Sequence, residues 1–190
     1  MILWTDKIRA FSRFDGDTMI NGEDTMARRQ IVVKGEPGLD KHCRPVTVFD
    51  ARLHQLLDDM AETMVVENGV GLAAPQVGVL RRVVVVLETN VPEDKDEYII
   101  ELINPEIIES SGEQYGGEGC LSVPGEMGLV KRPLHVKLRA QNRFGEWFEV
   151  EGHGLTARCF CHELDHLEGI LFTQVADRML TEEEMENGEF

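Results

Sequence analysis

His162-Glu163-Leu164-Asp165-His166 constrains this chain more than any other segment. On a helix, residues four apart share one face with Cβ atoms about 5–6 Å apart, so the two imidazoles can grip a single metal ion. Glu163, one position on, leans over the same site as a carboxylate able to take a proton from polarised water. The pattern fixes only three residues, and about two shuffled chains in a hundred of this composition would carry it by accident. The alternative is a surface helix with two solvated histidines. A third ligand decides between them.

The 190 residues suit one domain with a single core, and 42% hydrophobic with 28% charged residues is ordinary for a globular protein. A formal charge of −16 argues against general binding to nucleic acid or anionic membrane, both of which demand basic surface. No apolar run approaches the roughly 18 residues of a membrane span; the longest, Val83 to Leu87, reads as a buried strand. The four cysteines, Cys43, Cys120, Cys159 and Cys161, could form two disulfides. The chain is large for a disulfide scaffold and shows no secretory signal, so free thiols in a reducing compartment are the expectation, one of them open to a metal. Residues 1–25 are too acidic for a transit peptide. Met26 offers a second natural beginning, so 1–25 read as an extension dispensable for chemistry and 26–190 as one catalytic metallohydrolase domain.

Thr47 and Asp50 form a capping-box signature. Behind it Phe49, Leu53, Leu56, Leu57, Met60 and Met64 recur at helical spacing, predicting an amphipathic helix that ends near Asn68-Gly69. After Gly78 the period changes, and strands are expected over 82–88, 98–103 and 105–109, the first two separated by an acidic turn. Residues 134–140 and 146–151 form a hairpin about Asn142 to Gly145; His135 and His153 in it read as structural or solvated. A second long helix is expected over 155–168, stopped by Gly169. On it Leu155, Arg158, Cys159, His162 and His166 share a face that must look into a cleft. A short strand over 170–173 and a last helix over 182–187, capped by Thr181 and Glu184, complete the chain. The expected fold is α+β: antiparallel sheets packed around a central helix carrying the histidines, with a second amphipathic helix.

Protease-type sites with two such histidines take their third ligand downstream, where this chain offers Glu168 on another part of the helical wheel and an acidic tail. Upstream, Glu118-Gly119-Cys120-Leu121-Ser122 follows a Gly pair and places a cysteine among small, flexible residues. Its thiolate would complete a Cys-His-His set with a fourth position open to water; taken alone, Cys120 reads first as a small buried hydrophobe. Gly69-Val70-Gly71-Leu72-Ala73-Ala74-Pro75-Gln76 reads as a tight turn whose glycines permit close backbone approach. A buried Gln76 carboxamide adds an N–H donor, useful where charge develops on a carbonyl oxygen.

Together, in the order GxGLAAPQ, EGCLS and HExDH, these three segments resemble the peptide deformylase family over about residues 26–175. The resemblance implies that Cys120, His162 and His166 hold one divalent metal, Fe2+ in the cell with Zn2+ possible as purified. Glu163 is then general base and acid, and Gln76 with the backbone N–H of Leu121 stabilises the oxyanion. The implied reaction removes formyl from N-formylmethionyl ends of nascent proteins in the bacterial cytoplasm, releasing formate. Peptide backbone would pair with Gly69-Val70-Gly71 as an added strand, bordered by Glu118 and Gly119. Val70, Leu155, Arg158, Cys159 and His162 would line the methionine pocket, Arg158 through its aliphatic stem with its charge in solvent. Two positions depart from the family: Cys161 replaces the usual Gln, read as a packed thiol, and Met127 stands at the pocket rim. Glu118 and Arg132 are expected to pair behind the Cys120 loop, and Asp165 to bond backbone or a basic group rather than metal. The acidic tail predicts at most transient ribosome contact and no direct nucleic-acid binding. Rival readings are an HExxH peptidase acting on internal bonds and an inactive deformylase-like binding module.

Overall fold

Val83, Val84, Val85 and Val86 are all buried, which a strand achieves only when both faces of its sheet are covered. The computed structural model describes residues 28–92 and 95–188; the reading of residues 1–25 lies outside them. The elements run α1 (Ala51–Val66), β1 (Gly71–Ala73), a 3-10 turn (Ala74–Val77), β2 (Val83–Glu88), β3 (Tyr98–Ser111), β4 (Gln114–Cys120) and β5 (Val123–Arg132). Then follow β6 (His135–Gln141), β7 (Trp147–His153), α2 (Leu155–Leu167), α3 (Phe172–Val175), β8 (Arg178–Met179) and α4 (Glu182–Asn187). Five strands form one sheet in the order β1-β2-β3-β6-β7, and three form another in the order β4-β5-β8. Every ladder between these strands is antiparallel.

The valine run divides the core by simple alternation. Val84 and Val86 join Ile100, Leu102, Val136 and Leu138 against Phe160, Leu164 and Leu167 of α2. Val83 and Val85 join Leu72 and Ile103 against Leu53, Leu57, Met60 and Met64 of α1. A smaller cluster, Cys120, Val123, Val130 and Phe172, lies under the three-stranded sheet. Helix α2 packs on β1, β2, β6 and β7 of one sheet and on β5 of the other. This is the expected α+β arrangement of antiparallel sheets about a histidine-bearing helix.

Several boundaries differ from expectation. Asp50, not Thr47, caps α1: its backbone is extended and its carboxylate accepts from Arg52 and Leu53 N–H, both at 3.1 Å. The strands expected over 98–103 and 105–109 are one strand, β3, because Asn104 adopts a left-handed φ of 52° and absorbs a register shift beside Pro105. The Asn104 side chain anchors this kink, accepting from Val46 N–H at 2.8 Å and donating to Val46 C=O at 2.9 Å and Gln141 Oε1 at 2.8 Å. The glycine-rich stretch before Cys120, read as loop, is β4 in a regular ladder with β5. Residues 170–173, read as strand, instead enter the helical turn α3, where Gln174 Oε1 accepts from Leu171 N–H at 2.7 Å and Phe172 turns into the small cluster. The hairpin β6–β7, the Gly169 stop and the Thr181–Glu184 cap stand where expected.

Candidate active site

The central helix and the smaller sheet meet at three side chains. His162 and His166 lie one turn apart on α2, with ring centroids 5.0 Å apart and planes at 77°. Cys120 ends β4, where a register irregularity against β5 turns the chain. Its Sγ lies 3.3 Å from His166 Nε2, and the donor atoms of Cys120, His162 and His166 all lie within 4.8 Å of one another, all three buried. Phe172 stacks against the His162 ring at 6.1 Å and 25°, which holds the ring plane in place.

Glu118 organises what stands behind the donors. Its carboxylate is 1% exposed and accepts from Arg132 Nε at 2.9 Å and Nη2 at 3.0 Å, and from Arg158 Nη1 at 2.9 Å. It also bonds His162 Nδ1 at 3.0 Å, leaving Nε2 to face the cleft. Burial alone would raise the Glu118 carboxyl, but hydrogen bonds from His162 and Arg132 hold it near about 2. The expected Glu118–Arg132 pair is therefore present, and Arg132 Nη1 also donates to Asp165 Oδ2 at 2.7 Å, the basic partner expected for Asp165. Burial opposes a charged His162, yet bonds to Cys120 and Glu118 outweigh it and push the ring up to about 10. His166 lacks a carboxylate partner, and burial drives it well below its ordinary value. The pocket thus attracts positive charge at His162 and keeps His166 as a neutral lone-pair donor; a metal ion bound there would take the place of the His162 proton.

Glu163 faces the donors from one residue along α2. Burial pushes its carboxyl up to about 7, and its Oε2 is shielded from solvent without a hydrogen-bond partner. Gln76 sits on the 3-10 turn. Its Oε1 accepts from Ala73 N–H at 2.8 Å, which fixes the amide so that Nε2 points to Cys120 Sγ at 3.4 Å and Ser122 Oγ at 3.2 Å. Gly71 is buried against α2: a Cβ there would stand 2.5 Å from both Cys159 Sγ and Glu163 Oε1.

A cleft opens on this group, lined by Asn68, Gly69, Val70, Gly71, Gln76, Glu118, Gly119, Cys120, Leu121, Arg158, Cys159, His162 and Glu163. Nearly all the residues expected at the site therefore meet there, with His166 directly behind. Leu155 does not border this cleft; it begins α2, two turns and about 10 Å of helix rise before His162. Arg158 lines the cleft, but its charge is not in solvent. Its guanidinium is buried on Glu118, Gly116 C=O at 3.3 Å and Val130 C=O at 3.1 Å, because Glu118 and two strand carbonyls satisfy it better than the surface can. Cys161 is packed in the core and its thiol is raised to about 11 by burial. Met127 lies opposite Gly119 on β5, outside the cleft lining. Sequence reasoning missed Phe172, hidden in an apolar run with strand-like composition, and Ser122, whose place inside EGCLS was its only signal.

Three protein donors on one wall of a cleft, with a carboxylic acid beside them, belong to metal-dependent hydrolases; closed structural sites use four protein ligands. Residues 28–182 match the family model described as polypeptide deformylase. The chain is 55% identical over 161 residues to a peptide deformylase of Acetivibrio thermocellus, covering 85% of this chain and 91% of that one. Its fold matches the peptide deformylase of Thermotoga maritima with TM-score 0.74 at 39% identity, covering 80% of this chain and 99% of that one. It also matches a Met-Ala-Ser-bound class I type b peptide deformylase of Acinetobacter baumannii, with TM-score 0.73, 39% identity and the same coverage of 80% and 99%. The chain belongs to the peptide deformylase family.

Proposed function

We propose that Cys120, His162 and His166 hold one divalent ion and that the cleft beside them removes formyl from N-formylmethionyl peptides. The convergence of the three buried donors, opposite a carboxyl whose Oε2 has no partner, carries this reading. A metal bound there would supply Lewis acidity, polarising water and the formyl oxygen.

The chain's own groups account for the rest. Glu163, with its carboxyl near about 7, is poised to take a proton from attacking water at neutral pH and return it to the departing amine nitrogen. The C–N bond then breaks, giving formate and a free amino terminus. Gln76 Nε2, held by the Ala73 N–H bond to its oxygen, offers an N–H to the carbonyl oxygen as charge builds, with the Leu121 N–H beside it; each such donor is worth about 10²–10³ in rate. Gly69, Val70 and Gly71 give an edge on which extended peptide backbone can pair, bordered by Glu118 and Gly119. Val70 and Cys159, with the stem of Arg158, face the side chain of the first residue. Formyl carries hydrogen where larger acyl groups carry carbon, so a tight wall here selects it. The Met-Ala-Ser bound to the Acinetobacter relative is the peptide such a cleft would release.

Two imidazoles and a thiolate suit Fe2+ or Zn2+; Fe2+ is the proposed ion in the cell, with Zn2+ taking its place on aerobic purification. The substrates are nascent peptides in the bacterial cytoplasm, met by transient ribosome contact without nucleic-acid binding, as the acidic tail suggests. Residues 1–25 are proposed to be dispensable, a reading supported by a family match that begins at residue 28. Protein starting at Met26 should keep metal and turnover.

Anaerobic, iron-loaded protein should release formate from formyl-Met-Ala-Ser, and Glu163→Ala should keep its metal while losing about 10²–10⁴ of turnover. Cleavage of unformylated peptides at internal bonds would favour the peptidase reading, and metal binding without formate release the inactive module. Metal analysis of protein purified without oxygen decides between Fe2+ and Zn2+.

A further inference from the structure

We propose a second metal site, remote in role from the first, at the end of the β6–β7 hairpin, where His135, Glu151 and His153 form a clamp for a zinc-class divalent ion. His135 and His153 face each other directly across the ladder, so their side chains leave one face of the sheet from neighbouring strands. Their rings lie 4.3 Å apart, tilted by 31°. Glu151, two residues before His153 on β7, projects from the same face. One donor atom from each of the three lies within 4.8 Å of the others.

His135 Nε2 supplies an independent indication. It is shielded from solvent and makes no hydrogen bond, although Glu151 Oε2 stands 3.4 Å away. A shielded ring nitrogen with an ion-pair contact but no hydrogen bond is uncommon, and a coordinated ion would satisfy it. Charge on this face favours a cation. Lys137 lies opposite Glu151, but it is held more closely by Glu149, at 2.9 Å, than by Glu151, at 3.6 Å. Glu109 on β3 lies opposite Lys137 on its other side, and Arg139, the next cation along this face, lies 3.9 Å from Glu106 and over the Trp147 ring, so Glu106, Glu109, Glu149 and Glu151 outnumber the two cations.

Two imidazoles and one carboxylate match Zn2+, Ni2+ or Cu2+ and provide too few oxygens for Ca2+ or Mg2+. Tetrahedral Zn2+ with bonds near 2.0–2.1 Å needs donors about 3.4 Å apart. His153 and Glu151 are exposed, so side-chain rotation can close the difference without moving the strands. The position suggests the role. Next after His153 comes Gly154, the N-cap of α2, and no side chain caps that helix. Gly154 is tied to the β6 side by its N–H to Leu134 C=O at 2.9 Å and to β4 by Gln114 Nε2 to its own C=O at 2.7 Å. An ion joining β6 to β7 there would brace the root of the catalytic helix.

The test is calorimetric titration of Zn2+ into full-length protein whose catalytic site already holds Zn2+. The expected result is one further equivalent bound with a dissociation constant on the order of micromolar, together with a rise in thermal midpoint. His153→Gln, an exposed substitution, should leave unchanged the midpoint measured before the second equivalent is added and weaken that equivalent by at least about tenfold; His135→Gln should do the same to binding. The proposal is overturned if no second equivalent binds, if His153→Gln binds as tightly as the parent, or if Mg2+ gives the same response.

Discussion

Replacing Gly71 with alanine separates the position of Glu163 from the stability of the fold. A Cβ at Gly71 would lie 2.5 Å from Cys159 Sγ, 2.5 Å from Glu163 Oε1 and 2.8 Å from Glu163 Cγ. Carbon contacts are comfortable at about 3.5–4.0 Å, so the overlap is roughly 1 Å on two sides. The backbone is held from one side, because Gly71 pairs with Val86 on the edge strand of the larger sheet and Val70 C=O accepts from Leu87 N–H at 2.9 Å. Glu163 must therefore swing away, and its Cγ as well as its tip must move. Overpacking of this kind costs about 1–3 kcal/mol of stability, whereas a displacement of about 1 Å at a reacting group costs about 10² in rate. The three nearest atoms belong to Cys159 and Glu163 rather than to the donors, so metal should be retained. The expected outcome for Gly71→Ala is metal content near the parent's, a modest fall in midpoint, and kcat for formate release lower by about 10². Adding Cys159→Ala removes the sulfur overlap but not the Glu163 overlap. The double variant should recover stability without recovering kcat. A Gly71→Ala protein that keeps its metal and turns over within about threefold of the parent would refute the assignment of Glu163.

Glu118→Gln removes the anion that neutralises Arg132 and Arg158, and urea melts should show a loss of about 3–5 kcal/mol, with metal affinity against a chelator weaker by about 10–100-fold; an unchanged midpoint would contradict the network. Because the Glu118 carboxyl is held near about 2 against an ordinary 4.5, its contribution is complete above the unfolded value and fades as pH falls from about 4.5 towards 2, which stability measured across acid pH can check. Asn104→Ala loses three side-chain hydrogen bonds and puts alanine at φ 52°, so calorimetry should show about 2–4 kcal/mol lost with kcat per folded molecule unchanged. Burial raises the Cys43 thiol to about 11, leaving about one thiolate in a thousand at pH 8. Iodoacetamide should therefore label Cys43 far more slowly in native protein than in urea, and equal rates would show that the thiol is accessible.

The parts of this fold visible in sequence are those where local chemistry and tertiary packing agree. The repeat of Leu53, Leu57, Met60 and Met64 marks α1, and the valine run marks a strand covered on both faces. Asn142 to Gly145 marks the β6–β7 hairpin, where Asn142 Oδ1 accepts from Phe144 and Glu146 N–H, both at 3.0 Å. The smaller sheet was invisible because Gly116, Gly117 and Gly119 have low strand propensity. They lie in a strand because β5 pairs with them residue by residue, Gly116 with Val130, Gly117 with Leu129 and Gly119 with Met127. Arg158 was misplaced for a related reason. Helical spacing tells which face a residue shares, but not that a carboxylate 40 residues upstream waits to receive it. The donors were legible because two of them share one helical turn, and the third was found through the resemblance of three ordered motifs rather than through spacing.

Glu118 also ties the order of events to the architecture. Cys120 and Glu118 belong to the smaller sheet and the histidines to α2, and 46 residues separate Cys120 from His166. Helix formation alone would bring two donors together, and strand pairing alone only one. The complete trio exists only once the three-stranded sheet has docked on the helix. Ion uptake would then serve as a clock for that docking: the moment at which the chain captures its metal marks the moment at which its two halves have found each other.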